Sequence, residues 1–364
     1  MSSSNPIRRI FDLYTSDLTL QEIERLIKKE STAVYEFYKN EMPTPQTNRS
    51  KFIRGLIFTR SLFNAFLLKM NAARRIFYIL ALLLFFLGFA NQNGSYLITS
   101  FLIVNLLLAF EMADKLTAKD ELELASKIQS SLLPSVSPTN QFYEIASYYK
   151  SAKEVGGDYF DFIYKDDSDE KLFVAIGDIS GKGMAAALYT IRVQAILQFL
   201  INNFSSIPEI MINLKKYFSR KLRKEYFLTI MLSSINSDGS LSICRAGHMP
   251  ALHYRAKEKQ LDILNPKGIG IGLNDKGAFE KTLEEITIHP EKDDLVFFYT
   301  DGVIDAMNID KVQFGEERLR KIITEKSSFS AEDLKEYIVK YLEYFTYNAS
   351  QNDDFTLIVL KKSN

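Results

Sequence analysis

The sequence predicts an α+β domain from about Gln141 to the C-terminus, behind an all-helical region that carries two apolar helices. Three observations lead there. After Gln141, short alternating or apolar strand patterns recur, with helical stretches of uneven length between them and no regular βαβ alternation. Two apolar runs, 76–90 (IFYILALLLFFLGFA) and 96–110 (YLITSFLIVNLLLAF), flank the turn-forming Asn91-Gln92-Asn93-Gly94-Ser95. No Asp or Glu occurs between Glu41 and Glu111, although the 364-residue chain carries 45 acidic and 45 basic side chains. A hydrophobic share of 46% is enough for a full core. The single Cys244 excludes a disulfide scaffold and a cysteine zinc site, and zero net charge argues against a dedicated nucleic-acid binder.

In chain order, Thr19-Leu20-Gln21-Glu22 is a capping box that opens a helix to about Asn40, which Pro43 and Pro45 end. Residues 50–70 mix Phe, Leu and Ile with spaced Arg and Lys. This suits a basic helix on a membrane surface, or alternatively a core-facing helix of a small domain. The two apolar runs read as a membrane-inserted helical hairpin. Each covers only ~22 Å of a ~30 Å hydrocarbon core, a shortfall that snorkelling of Arg74 and Arg75 relieves. Basic residues precede the first run and the turn is uncharged, so both termini face the cytoplasm and the chain is a multi-pass protein of the inner (cytoplasmic) membrane. A buried hairpin in a soluble domain is the alternative.

Residues 111–133 form a charged helical pattern closed by Pro134, with Leu124, Ile128 and Leu132 in a narrow stripe. A stripe that narrow suits a homodimer through this helix, or else packing on the chain's own catalytic domain. Residues 134–140 are a linker. Strands are expected at 143–149, 172–176, 241–245, 295–299 and 355–360, and helices near 184–203, 207–223 and 330–347. The domain boundaries are therefore 1–75 (helical, juxtamembrane), 76–110 (hairpin), 111–140 (linker helix) and 141–364 (the α+β domain).

The chemistry is acidic and sits at strand ends. Four segments carry it: 154–161 (EVGGDYFD), 177–183 (GDISGKG), Thr300-Asp301-Gly302, and 352–356 (NDDFT). Like charges ~4 Å apart repel by ~4 kcal/mol at an effective dielectric near 20, so gathered carboxylates need a cation. All-oxygen ligation selects Mg²⁺ or Mn²⁺. Two other motifs fail. The GGDYF of 156–160 has Tyr where a diguanylate cyclase has its second acid, and 177–183 has the wrong glycine spacing for a P-loop, with Gly183 where Ser or Thr is required. Gly268 to Leu273 (GIGIGL) reads as a flexible loop. His248, between turn formers, reads as structural, and His253, His289 and Cys244 as surface or core residues.

Taken in order, EVGGDYFD (154–161), GDISGKGMAAAL (177–188), AGHMPAL (246–252), GIGIGL (268–273), YTDGVIDAMN (299–308) and NDDFTLIVL (352–360) resemble the PPM-type metal-dependent serine/threonine phosphatases, in their bacterial SpoIIE/RsbU-like branch. IQSSLLP (128–134) is similar to the helix that precedes the domain there. The resemblance implies a four-layer α-β-β-α sandwich of two antiparallel sheets with two Mn²⁺ or Mg²⁺ ions at one end. By position, Asp178 bridges both ions, the Ile179 carbonyl ligates one, Asp301 and Asp353 ligate the other, and Asp158 holds metal-bound waters. Asp178 and Asp301 carry catalysis, and Asp354 is an alternative ligand. Eukaryotic members have Gly-His after the bridging Asp. This chain has Ile179-Ser180, so water is left as the proton donor. Lys153 and Lys182 are candidate phosphate neighbours. The expected activity is hydrolysis of phosphoserine or phosphothreonine on a bacterial regulator of the anti-sigma-factor-antagonist type. A non-catalytic membrane scaffold that binds a partner is the alternative.

Overall fold

The computed structural model describes residues 51–165, 168–220, 222–274, 276–347 and 349–363. The helix expected from Thr19 to Asn40 lies outside them. The chain divides into two compact units, one ending at Leu116 and one running from Thr117 to Asn364.

The first unit contains α1 (Lys51–Lys69), α2 (Ala72–Ala90) and the start of α3 (Gly94–Leu132). Asn71 caps α2 by accepting the Arg74 N–H at 2.9 Å. With 19 residues α2 is about 28 Å long, its first turn carrying Arg74 and Arg75 ahead of the apolar run. Ser100 donates to the Ala81 carbonyl at 2.8 Å, which draws the two arms of the hairpin together. At its base Arg74 pairs with Glu111 at 2.9 Å and Asp114 at 2.6 Å. Arg75 donates to the carbonyls of Leu67, Leu68 and Met70, satisfying orphan groups at the end of α1. Both arginines, expected to snorkel, are thus partnered inside the protein. The second apolar run and the charged pattern after it, read separately from the sequence, form one 39-residue helix. Nothing at Glu111 breaks it, because Glu, Met, Ala and Lys are all good helix formers.

Among its described residues the second unit holds ten strands in two five-stranded antiparallel sheets, ordered β1-β10-β9-β6-β7 and β2-β3-β4-β5-β8. In chain order they are β1 (Tyr143–Lys150), β2 (Asp158–Lys165), β3 (Ser168–Ile179), β4 (Leu228–Ile235), β5 (Leu241–Ala246), β6 (Ala251–Arg255), β7 (Gln260–Leu264), β8 (Glu285–Ile288), β9 (Leu295–Tyr299) and β10 (Phe355–Lys362). The helices are α4 (Met184–Asn203), α5 (Ile207–Ser219), α6 (Phe279–Thr282), α7 (Asp301–Asp305), α8 (Glu316–Glu325) and α9 (Ala331–Phe345).

Period-two alternation explains the layers. On β3, Leu172, Val174 and Ile176 face the inter-sheet core, while Phe173 and Ala175 pack with Val193, Leu197 and Met211 of α4 and α5. On β9, Val296 and Phe298 face the other sheet, and Leu295, Phe297 and Tyr299 meet Leu319, Leu334 and Ile338 of α8 and α9. Both faces of each sheet are covered, so these strands read as solid apolar runs. The layer order is helices, sheet, sheet, helices, as the resemblance implied. Truncating a side chain such as Phe298, 2% exposed, to Ala would cost about 3–5 kcal/mol.

By length and composition three helices among the described residues are apolar enough to cross a membrane: α2, α3 and α4. The third is accounted for by the core, since Ala186, Val193, Leu197, Leu200 and Ile201 of α4 are buried against the sheet.

Candidate metal centre

β2 and β3 pair so that Asp158 lies directly opposite Asp178. Cross-strand partners project to the same face, so two motifs twenty residues apart place two carboxylates side by side. Asp158 is 2% exposed. Its Oδ2 accepts the hydroxyls of Thr300, at the end of β9, at 2.8 Å, and of Thr356 in β10. The other sheet thus locks this carboxylate. Burial first, and then the Asp178 charge, hold the Asp158 carboxyl well above the usual range, with Thr356 and Thr300 pulling the other way.

Asp178 is pushed up to about 7, by burial and then by the charges of Asp301, Asp353 and Asp354, with Lys182 opposing. Asp301, the first residue of α7, is raised by burial and by Asp353 and Asp305, against the Gly302 N–H and Lys182. Asp353 lies in the loop before β10 and pairs with Lys182 at 2.8 Å; Lys182 also donates to the Asn352 carbonyl. The Ile179 side chain is fully buried, and its N–H donates to the Gly157 carbonyl at 3.1 Å. A Cβ on Gly157 would stand 2.9 Å from the Ile179 carbonyl oxygen and 3.4 Å from Asp178 Oδ1, so only glycine lets the chain approach both.

These observations test whether a hard divalent cation fits. Carboxylates and one backbone carbonyl gather at the strand ends, and burial, followed by the charge of neighbouring acids, raises the proton affinity of Asp158, Asp178 and Asp301, a cost that a bound cation would relieve. The donor set therefore fits Mg²⁺ or Mn²⁺. Among the described residues no three His, Cys, Asp or Glu side chains close around one point as they stand. The cation on Asp353 is instead Lys182.

Asp354 does different work. Its Oδ1 accepts the Ala152 N–H at 2.7 Å, and its Oδ2 accepts those of Gly157 at 2.6 Å and Asp158 at 3.3 Å. Those bonds tie β10 to the loop that delivers Asp158. The sequence held no signal separating it from Asp353. Thr300 and Thr356, unremarkable as residues, are equally functional by position. Lys153 is exposed. His248 is buried, with Nδ1 3.0 Å from Thr229 Oγ1, and burial followed by Arg245 lowers its pKa to about 3, which fits a structural role. His253 is buried against Asp294 at 3.1 Å, and burial raises the Cys244 thiol to about 12. The 268–273 segment, expected to be flexible, is pinned: Ile271 is fully buried and bridges Leu228 of β4. A loop that contributes a core side chain and a ladder bond loses its freedom.

A two-sheet sandwich with acids converging at one end defines a PP2C-like phosphatase fold. Residues 168–363 match the family described as Stage II sporulation protein E (SpoIIE), and the chain belongs to it. The phosphoserine phosphatase RsbU of Bacillus subtilis (strain 168) is 27% identical over 67% of this chain and 70% of its own length. The phosphoserine phosphatase RsbP of the same organism is 26% identical over 68% of this chain and 59% of its length. The SiaA-PP2C domain of Pseudomonas aeruginosa superposes with a TM-score of 0.59 at 19% identity, over 68% of this chain and 98% of that one, a likeness of fold. The chain is thus a PP2C-type serine phosphatase like RsbU and RsbP.

Proposed function

We propose that this chain is a membrane-anchored, Mn²⁺- or Mg²⁺-dependent phosphatase that removes phosphate from phosphoserine or phosphothreonine on a bacterial regulatory protein of the anti-sigma-factor-antagonist type. The observation that carries this reading is the pairing of Asp158 with Asp178 across β2 and β3, in the shared field of Asp301 and Asp353. Asp178, Asp301, Asp353 and the Ile179 carbonyl would hold two ions, with Asp158 orienting water beside them. Such ions supply the activated water and the positive charge that phosphoryl transfer needs. The residues themselves provide a rigid frame. Thr300 and Thr356 prevent Asp158 from turning away, and Asp354 fixes the loop that precedes it. Ser180 accepts the Phe227 N–H at 2.8 Å, which fixes its oxygen, and an aliphatic hydroxyl is too weak an acid to stand in for a histidine, so water is left to protonate the leaving oxygen.

Membrane anchoring is supported by the exposure of Ile76 (67%), Phe86 (66%), Phe89 (75%), Ile98 (63%) and Phe101 (67%), an apolar surface that lipid covers and water does not. The inner membrane, with the catalytic unit in the cytoplasm, follows from the basic flank ahead of α2. A second copy of the chain is the occupant proposed for the exposed stripe of Leu124 (60%), Ile128 (50%) and Leu132 (41%). Glu121, Glu123 and Lys127 flank its first half, so both signs of charge are at hand for self-pairing. Manganese-dependent hydrolysis of an aryl phosphate by the detergent-solubilised full chain, abolished by a chelator, is the test. A folded chain that turns over neither this compound nor a phosphoserine protein is a scaffold instead.

A further inference from the structure

From Thr117 to Leu132, α3 has a single buried residue, Gln129, which is 3% exposed. Its Nε2 donates to the Gly156 carbonyl at 2.8 Å, and its Oε1 accepts the Gly156 N–H at 3.1 Å. One carboxamide thus satisfies both polar groups of one residue, as a neighbouring strand would. The peptide has no slack on its other side. A Cβ at Gly156 would fall 2.2 Å from the Tyr149 hydroxyl and 2.6 Å from Asp354 Oδ2. The next residue, Gly157, accepts the Ile179 N–H and the Thr190 hydroxyl, each at 3.1 Å, and donates to Asp354 at 2.6 Å. Asp158 follows. A continuous bonded path therefore runs from one side chain of α3 to the residues that frame the metal centre.

We propose that Gln129 is a positioning residue of this centre. It presses the Gly156-Gly157 segment against Ile179 and Asp158, so that metal binding depends on how the end of α3 is seated. The proposal rests on the metal-dependent reading above. It deepens that reading by naming the residue through which α3 acts on the centre. Besides Gln129, the end of α3 is tied down by the Leu132 carbonyl, which accepts Gln194 Nε2 at 2.6 Å, and by the buried Leu133. Turning α3 by one residue position, ~100°, withdraws Gln129 and leaves the Gly156 N–H and carbonyl buried without partners.

The test uses the full chain in detergent. Mn²⁺ binding is titrated by electron paramagnetic resonance, alongside thermal unfolding and aryl-phosphate kinetics. Gln129→Leu, similar in size but unable to bond, is expected to weaken Mn²⁺ binding by about 10–100-fold and to lower kcat with little change in KM. Gln129→Asn keeps the amide but shortens its reach; it should show the same defect with a smaller loss of thermal stability, and it decides the matter if the leucine variant does not fold. Leu319→Ala, a fully buried side chain of α8 in the other sheet's helical layer, serves as the comparison, since loss of packing alone should lower the unfolding temperature without moving the Mn²⁺ titration. Folded Gln129 variants that bind Mn²⁺ as the wild type does would overturn the proposal and leave the phosphatase reading standing. A wild-type chain that binds no Mn²⁺ would overturn both.

Discussion

The two units solve the same problem in opposite ways. In the sandwich, Phe173, Phe297 and Phe298 are at most 2% exposed, and every sheet face is covered by another layer of the same chain. In the hairpin, Phe77, Phe85 and Phe110 are 53%, 47% and 51% exposed, and polar contacts gather at its base around Arg74, Glu111 and Asp114. The composition of the buried strands and of the hairpin is similar, so hydrophobicity alone does not distinguish them. The difference lies in what surrounds the apolar surface. A chain that covers its own strands obtains a rigid frame, and only a rigid frame can hold like charges together at its end. The hairpin leaves most of its apolar side chains uncovered by the described residues of the chain.

The largest effect is expected where the rigid frame holds charge. Asp178→Asn or Asp301→Asn removes a negative oxygen at nearly constant volume and should lower turnover by at least about 10³-fold with the fold retained. Near-wild-type turnover by either variant at saturating Mn²⁺ breaks the assignment. In the bare unit, Leu83→Asp combined with Leu102→Asp places two charges where each costs about 3 kcal/mol in lipid. The wild-type chain should stay with membranes in high salt, since apolar burial is not screened, and the double variant should be lost from them. Release of the wild type by salt alone would contradict insertion.

Acidity gives a third contrast. With Asp178 raised to about 7 from the usual value near 3.8, the native metal-free chain binds more protons than the unfolded one between those pH values. Its stability therefore falls as pH rises through that window, by roughly 2–4 kcal/mol, and added Mn²⁺ should restore it. Chemical unfolding of chelator-treated protein at pH 5 and pH 8 measures this, and Asp178→Asn should reduce the difference, leaving the part that Asp158 and Asp301 contribute. A slope of the opposite sign would mean that the carboxylates are already compensated. The smallest effect concerns the face of α3. Leu124→Glu with Ile128→Glu should dissociate a detergent-solubilised dimer, read by light scattering, and change its activity. A wild type that stays monomeric at every concentration removes the dimer.

Several elements were legible from the residues because their causes are local. The pattern placing a helix at 184–203 matches α4 (Met184–Asn203), and the apolar 295–299 run matches β9 (Leu295–Tyr299). The helix expected to 223 ends at Ser219, and strands β2, β4, β6, β7 and β8 were not singled out. Short strands at an uneven spacing carry too few residues to declare a period. The four acidic segments stood out because Asp beside Gly at a strand end is visible in a window of a few residues.

What the sequence by itself determined is therefore the two kinds of apolar segment, the layered α+β character and the acidic strand-end segments proposed here to hold the metal. Which acid does what was decided by the tertiary structure. Asp353 and Asp354 are neighbours of identical chemistry, yet one faces Lys182 and the other binds three backbone N–H groups. Gln129 is one polar residue among many on a charged helix, and only the approach of Gly156, 27 positions away, gives it two partners. The physical reason is the range of the interactions. Periodicity and turn chemistry act over a few bonds, whereas a hydrogen bond or a shared electrostatic field acts between whatever the fold brings within a few ångströms.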